Sequence, residues 1–325
     1  MEGATSGADG RFVLGEGIAA VGALSERLAV NVRRAVKVRD DTLRGVLVAL
    51  MAEGHVLLED HPGVGKTALA RALAASIDAE YARVQCTADL LPADIVGINV
   101  YSRREELFEF RPGPVFANVV LVDEVNRASP KTQSGLLECM QERHVTVDGV
   151  THELARPFLV LATQNPVEQA GTYPLPEAQL DRFMIRASLG YPEEAAEVAM
   201  LAEHASGDRV SEVRAVTDVA EIVEAQRVVA GVHAAEAVRR YVVRLLAHTR
   251  GDRRVLAGAS PRAGLMLIKG AQAHAALAGR DHVLPDDVQA LAAPVLTHRL
   301  LLHPQGAAGG AVAVLDDALA AVPAA

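Results

Sequence analysis

Aromatic side chains make up only 3% of the 325 residues and tryptophan is absent, so Ala, Val and Leu fill the apolar half of the chain. That composition favours helix-rich packing built on small aliphatic contacts. Cysteine is nearly missing too. Cys86 and Cys139 stand far apart and form no CxxC pair, which excludes a disulfide framework and a thiolate metal site and leaves two reduced, partly buried thiols. Basic residues are outnumbered, 32 against 41 acidic, for a net charge of −9. Passive binding to a phosphate backbone needs clustered Lys and Arg and is disfavoured, although a local basic pore in an assembly is compatible with this average. The eleven histidines form no HExxH or His/Cys cluster, and no serine has a GxSxG setting, so a catalytic zinc and a serine nucleophile are not expected. No basic region followed by an apolar stretch opens the chain. Apolar runs such as Val46–Met51 and Val119–Val122 fall short of the ~20 residues that a spanning helix needs. The expectation is a cytoplasmic protein with no membrane insertion.

What is present is punctuation. Residues 1–15 are small and polar at the start and are expected to be flexible. Apolar residues then recur at helical spacing from Ile18 to Val36, and a second helix is predicted from about Asp40 to Ala52. His55–Glu59, Tyr81–Cys86, Val119–Asp123, Phe158–Thr163 and Met184–Leu189 read as short buried strands, separated by helices over Lys66–Ile77, Pro130–Glu142 and Pro176–Phe183. Asp89–Gly113 is irregular, broken by Pro92, Gly97, Pro112 and Gly113. His144–Leu154 carries Asp148-Gly149 between β-branched residues, a strong hairpin signal. Beyond Tyr191-Pro192 helical periodicity dominates, with a Gly/Ala-rich joint at Gly306–Gly310 before a last helix. Strands alternating with helices, then helices alone, describe a parallel αβα sandwich followed by a helical domain, divided at about residue 192.

Glu59-Asp60-His61-Pro62-Gly63-Val64-Gly65-Lys66-Thr67 follows a strand and opens a helix. That is the setting of a P-loop, where backbone N–H groups and the helix N-terminus face phosphate. Pro62, Gly63, Val64, Gly65, Lys66, Thr67 and Ala68 are therefore the candidate ATP-binding residues. Lys66 would reach the β- and γ-phosphates, and the Thr67 hydroxyl would ligate Mg²⁺. The pattern departs from GxxxxGK[ST] at Asp60, where the first glycine would fall. A carboxylate near the phosphates is an electrostatic oddity and is expected to point outward.

Binding alone is not hydrolysis. Val119–Val122 runs directly into Asp123-Glu124, so Asp123 is placed to hold Mg²⁺ and Glu124 to orient or deprotonate the attacking water. Asn165 follows the next buried strand, where an amide could hold that water or sense the γ-phosphate. By itself Gln164-Asn165-Pro166 is more often a turn.

Four long stretches resemble the MoxR family of AAA+ ATPases: Phe110–Gln141, Ala162–Phe183, Gly258–Ala263 and Gly279–Val288. The resemblance implies a P-loop NTPase fold, a five-stranded parallel sheet in the order 5-1-4-3-2 within residues 16–192, and an all-α lid over residues 193–325. It implies sensor 1 at Asn165, an arginine finger at Arg182 offered to the neighbouring subunit's ATP, and sensor 2 at Arg262, contacting the γ-phosphate in cis. Taken alone, Arg182 would more readily pair with Asp181 or Glu177, and Arg262 would cap a helix; Arg127 and Arg186 are competing fingers. Residues 89–111 resemble the family's helix-2 insert and 143–155 its hairpin before sensor 1. Where the family carries V-G-Q beside the adenine pocket, this chain has Lys37-Val38-Arg39. The implied function is ATP-driven, chaperone-like remodelling by a ring homo-oligomer, expected as a hexamer. Its implied client is a protein with a von Willebrand factor A domain, with metal insertion. A nucleic-acid motor and a magnesium-chelatase-like subunit are the alternatives; the acidic balance and a 144–154 hairpin without Lys or Arg speak against nucleic acid.

Overall fold

Short aliphatic runs too brief for helices pair edge to edge and build the centre of the molecule. The computed structural model describes residues 6–61, 63–165, 172–191, 209–304 and 309–324. Helices α1 (Ser6–Ala35) and α2 (Asp40–Met51) lead into β1 (Val56–Glu59), α3 (Lys66–Ser76) and β2 (Tyr81–Gln85). Next come a short helix α4 (Pro92–Val96), strands β3 (Gly97–Ser102) and β4 (Leu107–Pro112), β5 (Val119–Asp123) and α5 (Pro130–Glu142). Strands β6 (His144–Val147), β7 (Val150–Glu153) and β8 (Leu159–Gln164), helix α6 (Glu177–Leu180) and β9 (Ile185–Ala187) complete the first half.

The sheet runs β2-β5-β8-β1-β9 with every pairing parallel. Counting only these five strands along the chain gives 5-1-4-3-2 from the β9 edge, the expected order. β5 and most of β8 and β1 are buried on both faces, which is why they read as unbroken aliphatic runs. Parallel pairing brings the ends of β1, β5 and β8 (Glu59, Asp123 and Gln164) to one rim, where α/β proteins place their ligands.

Two expectations change and one holds. Residues 6–15, expected to be flexible, belong to α1; extending a helix already nucleated by the packed Ile18–Val36 stretch costs little per residue. The 89–111 insert is ordered, with β3 and β4 forming an antiparallel hairpin. Its alternation was masked by breakers that are structural: at Gly97 (φ +95°) a Cβ would lie 2.3 Å from the Arg111 carbonyl oxygen, so only glycine closes the hairpin base. The 144–154 segment is the predicted hairpin, turning at Asp148 and Gly149, both at positive φ.

In the second half, α7 (Val219–Ala230) and α9 (Pro261–Leu277) pack against α1 and α2, α8 (Glu236–Gly251) and α10 (Pro285–Leu296) pack on α9, and α11 (Gly310–Ala321) packs on α8 and α10. It is not purely helical: β10 (Val255–Ala257) pairs antiparallel with β11 (Leu301–Leu302), because extended backbone on either side of α9 and α10 satisfies its hydrogen bonds mutually. The expected division at residue 192 falls outside the described residues. The Gly279–Val288 stretch acquires a structural meaning. Asp287 is buried at the start of α10, where it accepts hydrogen bonds from Arg280 Nη1 (2.7 Å), His274 Nδ1 (2.7 Å) and the Leu284 N–H (2.8 Å). Burial alone would raise its pKa, but these donors outweigh it and hold the carboxyl well below the usual range.

Cys86 and Cys139 are buried and free, and burial pushes both thiols up to about 12, so they stay protonated. Among the described residues no helix is long and apolar enough to cross a membrane.

Candidate active site

The loop after β1 has the backbone that phosphate binding requires. Gly63 (φ +87°) and Gly65 (φ +99°) adopt left-handed conformations, and a Cβ at Gly63 would meet no atom within 4 Å. Gly65 caps α3, which begins at Lys66, so the first N–H groups of that helix have no partner within it. Val64 is buried and anchors the loop from beneath, and Val36 lies 3.7 Å from the Cβ position of Gly65. Pro62 lies outside the described residues. Lys66 Nζ donates to the carbonyl oxygens of Asp60 (2.8 Å) and His61 (3.3 Å). Burial lowers its pKa, while Asp60, Asp123 and Glu124 oppose the shift. A half-buried ammonium held, among the described residues, by two carbonyls, beside an open glycine cradle and a helix N-terminus, suits a polyanion. The donor set fits ATP.

Asp60 does not point outward. It is buried, and its carboxylate accepts hydrogen bonds from Ser188 Oγ (2.6 Å), the Leu189 N–H (2.7 Å) and the Gly190 N–H (3.1 Å). The charge is thus spent on the loop after β9, away from the phosphate cradle. The same loop receives Thr42 Oγ1 on the Ser188 carbonyl (2.7 Å), and His61 stacks on Tyr191 with ring centroids 5.7 Å apart. Arg39, within the segment that replaces V-G-Q, pairs with Asp41.

At the end of β5 the two acids carry different partners. Asp123 accepts Thr163 Oγ1 at 2.8 Å and Arg83 through Nε (3.1 Å) and Nη2 (2.7 Å). Glu124, in a left-handed conformation, accepts Gln85 Nε2 (3.1 Å) and Arg127 Nη1 (2.9 Å), while its own N–H donates to Thr163 Oγ1. Asn165 is buried one residue beyond β8, and the backbone of Asp60 bonds the Gln164 carbonyl beside it. Lys66, Thr67, Asp123, Glu124 and Asn165 therefore gather on one rim of the sheet. Arg83 and Gln85 were missed. They stand two residues apart on edge strand β2, hence on one face, and two polar side chains at that spacing in an otherwise apolar strand were the available signal.

The arginines are elsewhere. Arg182 donates from Nη1 to the Leu137 carbonyl (2.6 Å), and its Nε is buried without a partner among the described residues. Arg262 faces Asp181 at 3.9 Å and Gln141 at 3.4 Å. Both line a cavity bounded by Gly54 and His55, the residues that precede β1. The P-loop follows the other end of that strand, roughly 13 Å of extended chain away. Arg262, expected to contact the γ-phosphate in cis, stands at the end of β1 remote from its own P-loop: with the lid packed on α1 and α2, α9 starts beside α6. The competing candidates sit on their own chain's acids, Arg127 on Glu124 and Arg186 on Glu59.

Arg299, also missed, fastens this region. Its guanidinium is almost fully buried and holds Asp181 Oδ1 (2.7 Å) and the carbonyls of Asp181 (3.0 Å), Phe183 (2.6 Å) and Val295. It ties the end of α10 to the turn that carries Arg182. Breaking a buried pair strands the remaining partner. Arg299→Leu should therefore lower unfolding stability by about 3 kcal/mol, read by urea denaturation followed by circular dichroism. A loss below about 0.5 kcal/mol, the range of an exposed contact, would contradict this role.

The family described as "ATPase family associated with various cellular activities (AAA)" matches residues 55–185, and the AAA lid domain matches residues 247–318. The chain is 49% identical to the uncharacterized protein YeaC of Bacillus subtilis, over 85% of this chain and 87% of that one. It is 40% identical to Chaperone MoxR1 of Mycobacterium tuberculosis, over 88% of this chain and 78% of that one. The crystal structure of a candidate ATPase from Cytophaga hutchinsonii superposes with a TM-score of 0.88 at 36% identity, covering 95% of this chain and 97% of that one. With a phosphate loop, two acids and a buried amide on one rim, a lid behind the sheet, and likeness extending from α1 through the lid, the chain belongs to the MoxR family of AAA+ ATPases.

Proposed function

We propose that this chain hydrolyses ATP at sites shared between adjacent copies in a ring, and uses the cycle to remodel a client protein. The observation that carries this reading is the placement of Arg182 and Arg262 together at the end of β1 remote from their own P-loop. Arginines so placed serve a nucleotide held by another copy, and a closed ring, expected as a hexamer, gives every copy a neighbour on each side.

Within one copy, Gly63–Ala68 bind the triphosphate through backbone N–H groups and the Lys66 ammonium. Thr67 and Asp123 would hold Mg²⁺, which when bound supplies charge neutralisation on the β- and γ-phosphates. Glu124 orients the attacking water and accepts its proton at the carboxylate now bonded to Gln85 and Arg127. Asn165 fixes that water from the adjacent strand. Arg182 and Arg262, from the next copy, stabilise charge that develops on the transferred group.

A protein client, rather than nucleic acid, is supported by the inserts. Tyr101, Leu107 and Phe108 on the β3–β4 hairpin are exposed, with Tyr101 and Phe108 in edge-to-face contact, and the β6–β7 hairpin carries no Lys or Arg. The named similarity to Chaperone MoxR1 points the same way. The client is proposed to carry a von Willebrand factor A domain and to be matured with metal insertion. In a pull-down with Glu124→Gln and ATP, a protein with such a domain should be retained and should elute when ATP is withdrawn. ATP-independent retention, or ATPase stimulation by DNA that declines with salt, would refute the reading and favour the nucleic-acid motor.

A further inference from the structure

The cavity that holds Arg182 and Arg262 contains more positive charge than two arginines. It measures about 320 Å³, and Arg143, Arg156 and Lys269 complete a lining of five cationic side chains against one carboxylate, Glu53. That carboxylate is committed, accepting Arg143 Nη1 at 2.7 Å while Arg143 Nη2 donates to the Glu53 carbonyl. Asp181, the other acid within reach, is held by Arg299 at 2.7 Å and meets Arg262 only at 3.9 Å. Arg156 and Lys269 are exposed, and among the described residues neither makes a hydrogen bond or ion pair.

Both come from sequence positions that aim them here. Lys269 lies seven residues beyond Arg262 on α9, with the cavity-lining Met266 between them at i+4, so one stripe of the helix faces the opening. Arg156 stands in the turn between β7 and β8 and lines the same cavity. Arg156 and Lys269 add charge that the described carboxylates do not pair, and an entering anion would stabilise the arrangement. The cavity lies at the N-terminal end of β1, beside Gly54 and His55, and the chain's own P-loop follows the opposite end of that strand.

We propose that Arg156 and Lys269 are further phosphate-binding residues, presented with Arg182 and Arg262 to the triphosphate of ATP held by the adjacent copy. This inference rests on the shared-site reading above. A flexible ammonium and an exposed guanidinium at the rim suit the task of drawing the neighbour's phosphates in, leaving the more buried Arg182 to act on the transferred group.

The test uses the full-length assembled protein and four variants: Arg156→Ala with Lys269→Ala, Arg156→Lys with Lys269→Arg, Arg182→Ala, and Lys66→Ala. Charge removal should raise the KM for ATP about tenfold, and the charge-preserving pair should keep the wild-type value. Binding of a fluorescent ATP analogue to protomers diluted below assembly should be unchanged by charge removal and weakened about 100-fold in Lys66→Ala. An unchanged KM on charge removal would overturn the proposal, while Arg182→Ala, if still inactive, would leave the shared site standing. Equal rises in KM for both double variants would mean that shape rather than charge is responsible, and would overturn it too. Weaker binding by the diluted charge-removed protomer would place the cavity in cis and defeat it. Full activity in Arg182→Ala would defeat the shared-site reading itself.

Discussion

Replacing Arg182 by alanine should lower ATP turnover by about 10³-fold or more while leaving nucleotide binding to the isolated protomer intact. An arginine supplied to a phosphoryl-transfer site acts on charge that develops only as the bond to the leaving oxygen breaks, and such groups are worth about 10³ to 10⁵ in rate. The side chain is already held in place: Nη1 donates to the Leu137 carbonyl, and the preceding Asp181 is gripped by Arg299. Little rotamer freedom remains to be lost when it meets the neighbour's phosphate. Mixing makes the prediction decisive. Arg182→Ala protomers keep an intact P-loop, whereas Lys66→Ala protomers keep an intact arginine, so mixed rings regain sites in which each supplies what the other lacks. Steady-state turnover should rise on mixing two inactive preparations. No recovery, with mixed assembly verified by native mass spectrometry, would mean that Arg182 serves only its own chain.

Linear spacing revealed the rim that carries the P-loop and hid the face that carries the arginines. Glu59 to Thr67 and Val119 to Glu124 are contiguous, and a strand followed by glycines or by two acids states its own geometry. Short aliphatic runs alternating with helices implied a parallel sheet, while its order came from the family resemblance. Arg83 and Gln85, which meet Asp123 and Glu124 across β2 and β5, come from distant positions and carry no local pattern beyond their spacing of two. The behaviour of Asp60 was unreadable for the same reason: its three donors belong to residues 188–190. The placement of Arg262 depends on where the lid docks. That is decided by packing of α1 and α2 against α7 and α9, which residue spacing within any one element does not encode. The β3–β4 hairpin was hidden by its own glycines, since turn breakers and a hairpin base use the same residue.

Glu124→Gln and Lys66→Ala should separate binding from hydrolysis. Glu124 Oε2 is bonded to Gln85 and Arg127, and a glutamine of the same shape can keep partners there while losing the capacity to accept a proton from water. Turnover should fall by about 10²-fold or more, the usual contribution of a general base. Affinity for ATP should be retained, and ATP-loaded rings should accumulate. Lys66 has the opposite profile. Its ammonium rests on two loop carbonyls at the mouth of the cradle, with no carboxylate bonded to it among the described residues. Removing it takes away the one full positive charge contributed by the loop, so nucleotide affinity should weaken by about 100-fold. Isothermal titration with ATP in Mg²⁺ and single-turnover hydrolysis read the two quantities independently. If both variants lost binding equally, Glu124 would be holding the cradle together rather than handling the proton. If both bound ATP normally, the phosphate would have to be gripped by the backbone alone, and Lys66 would be left with only its contacts to Asp60 and His61.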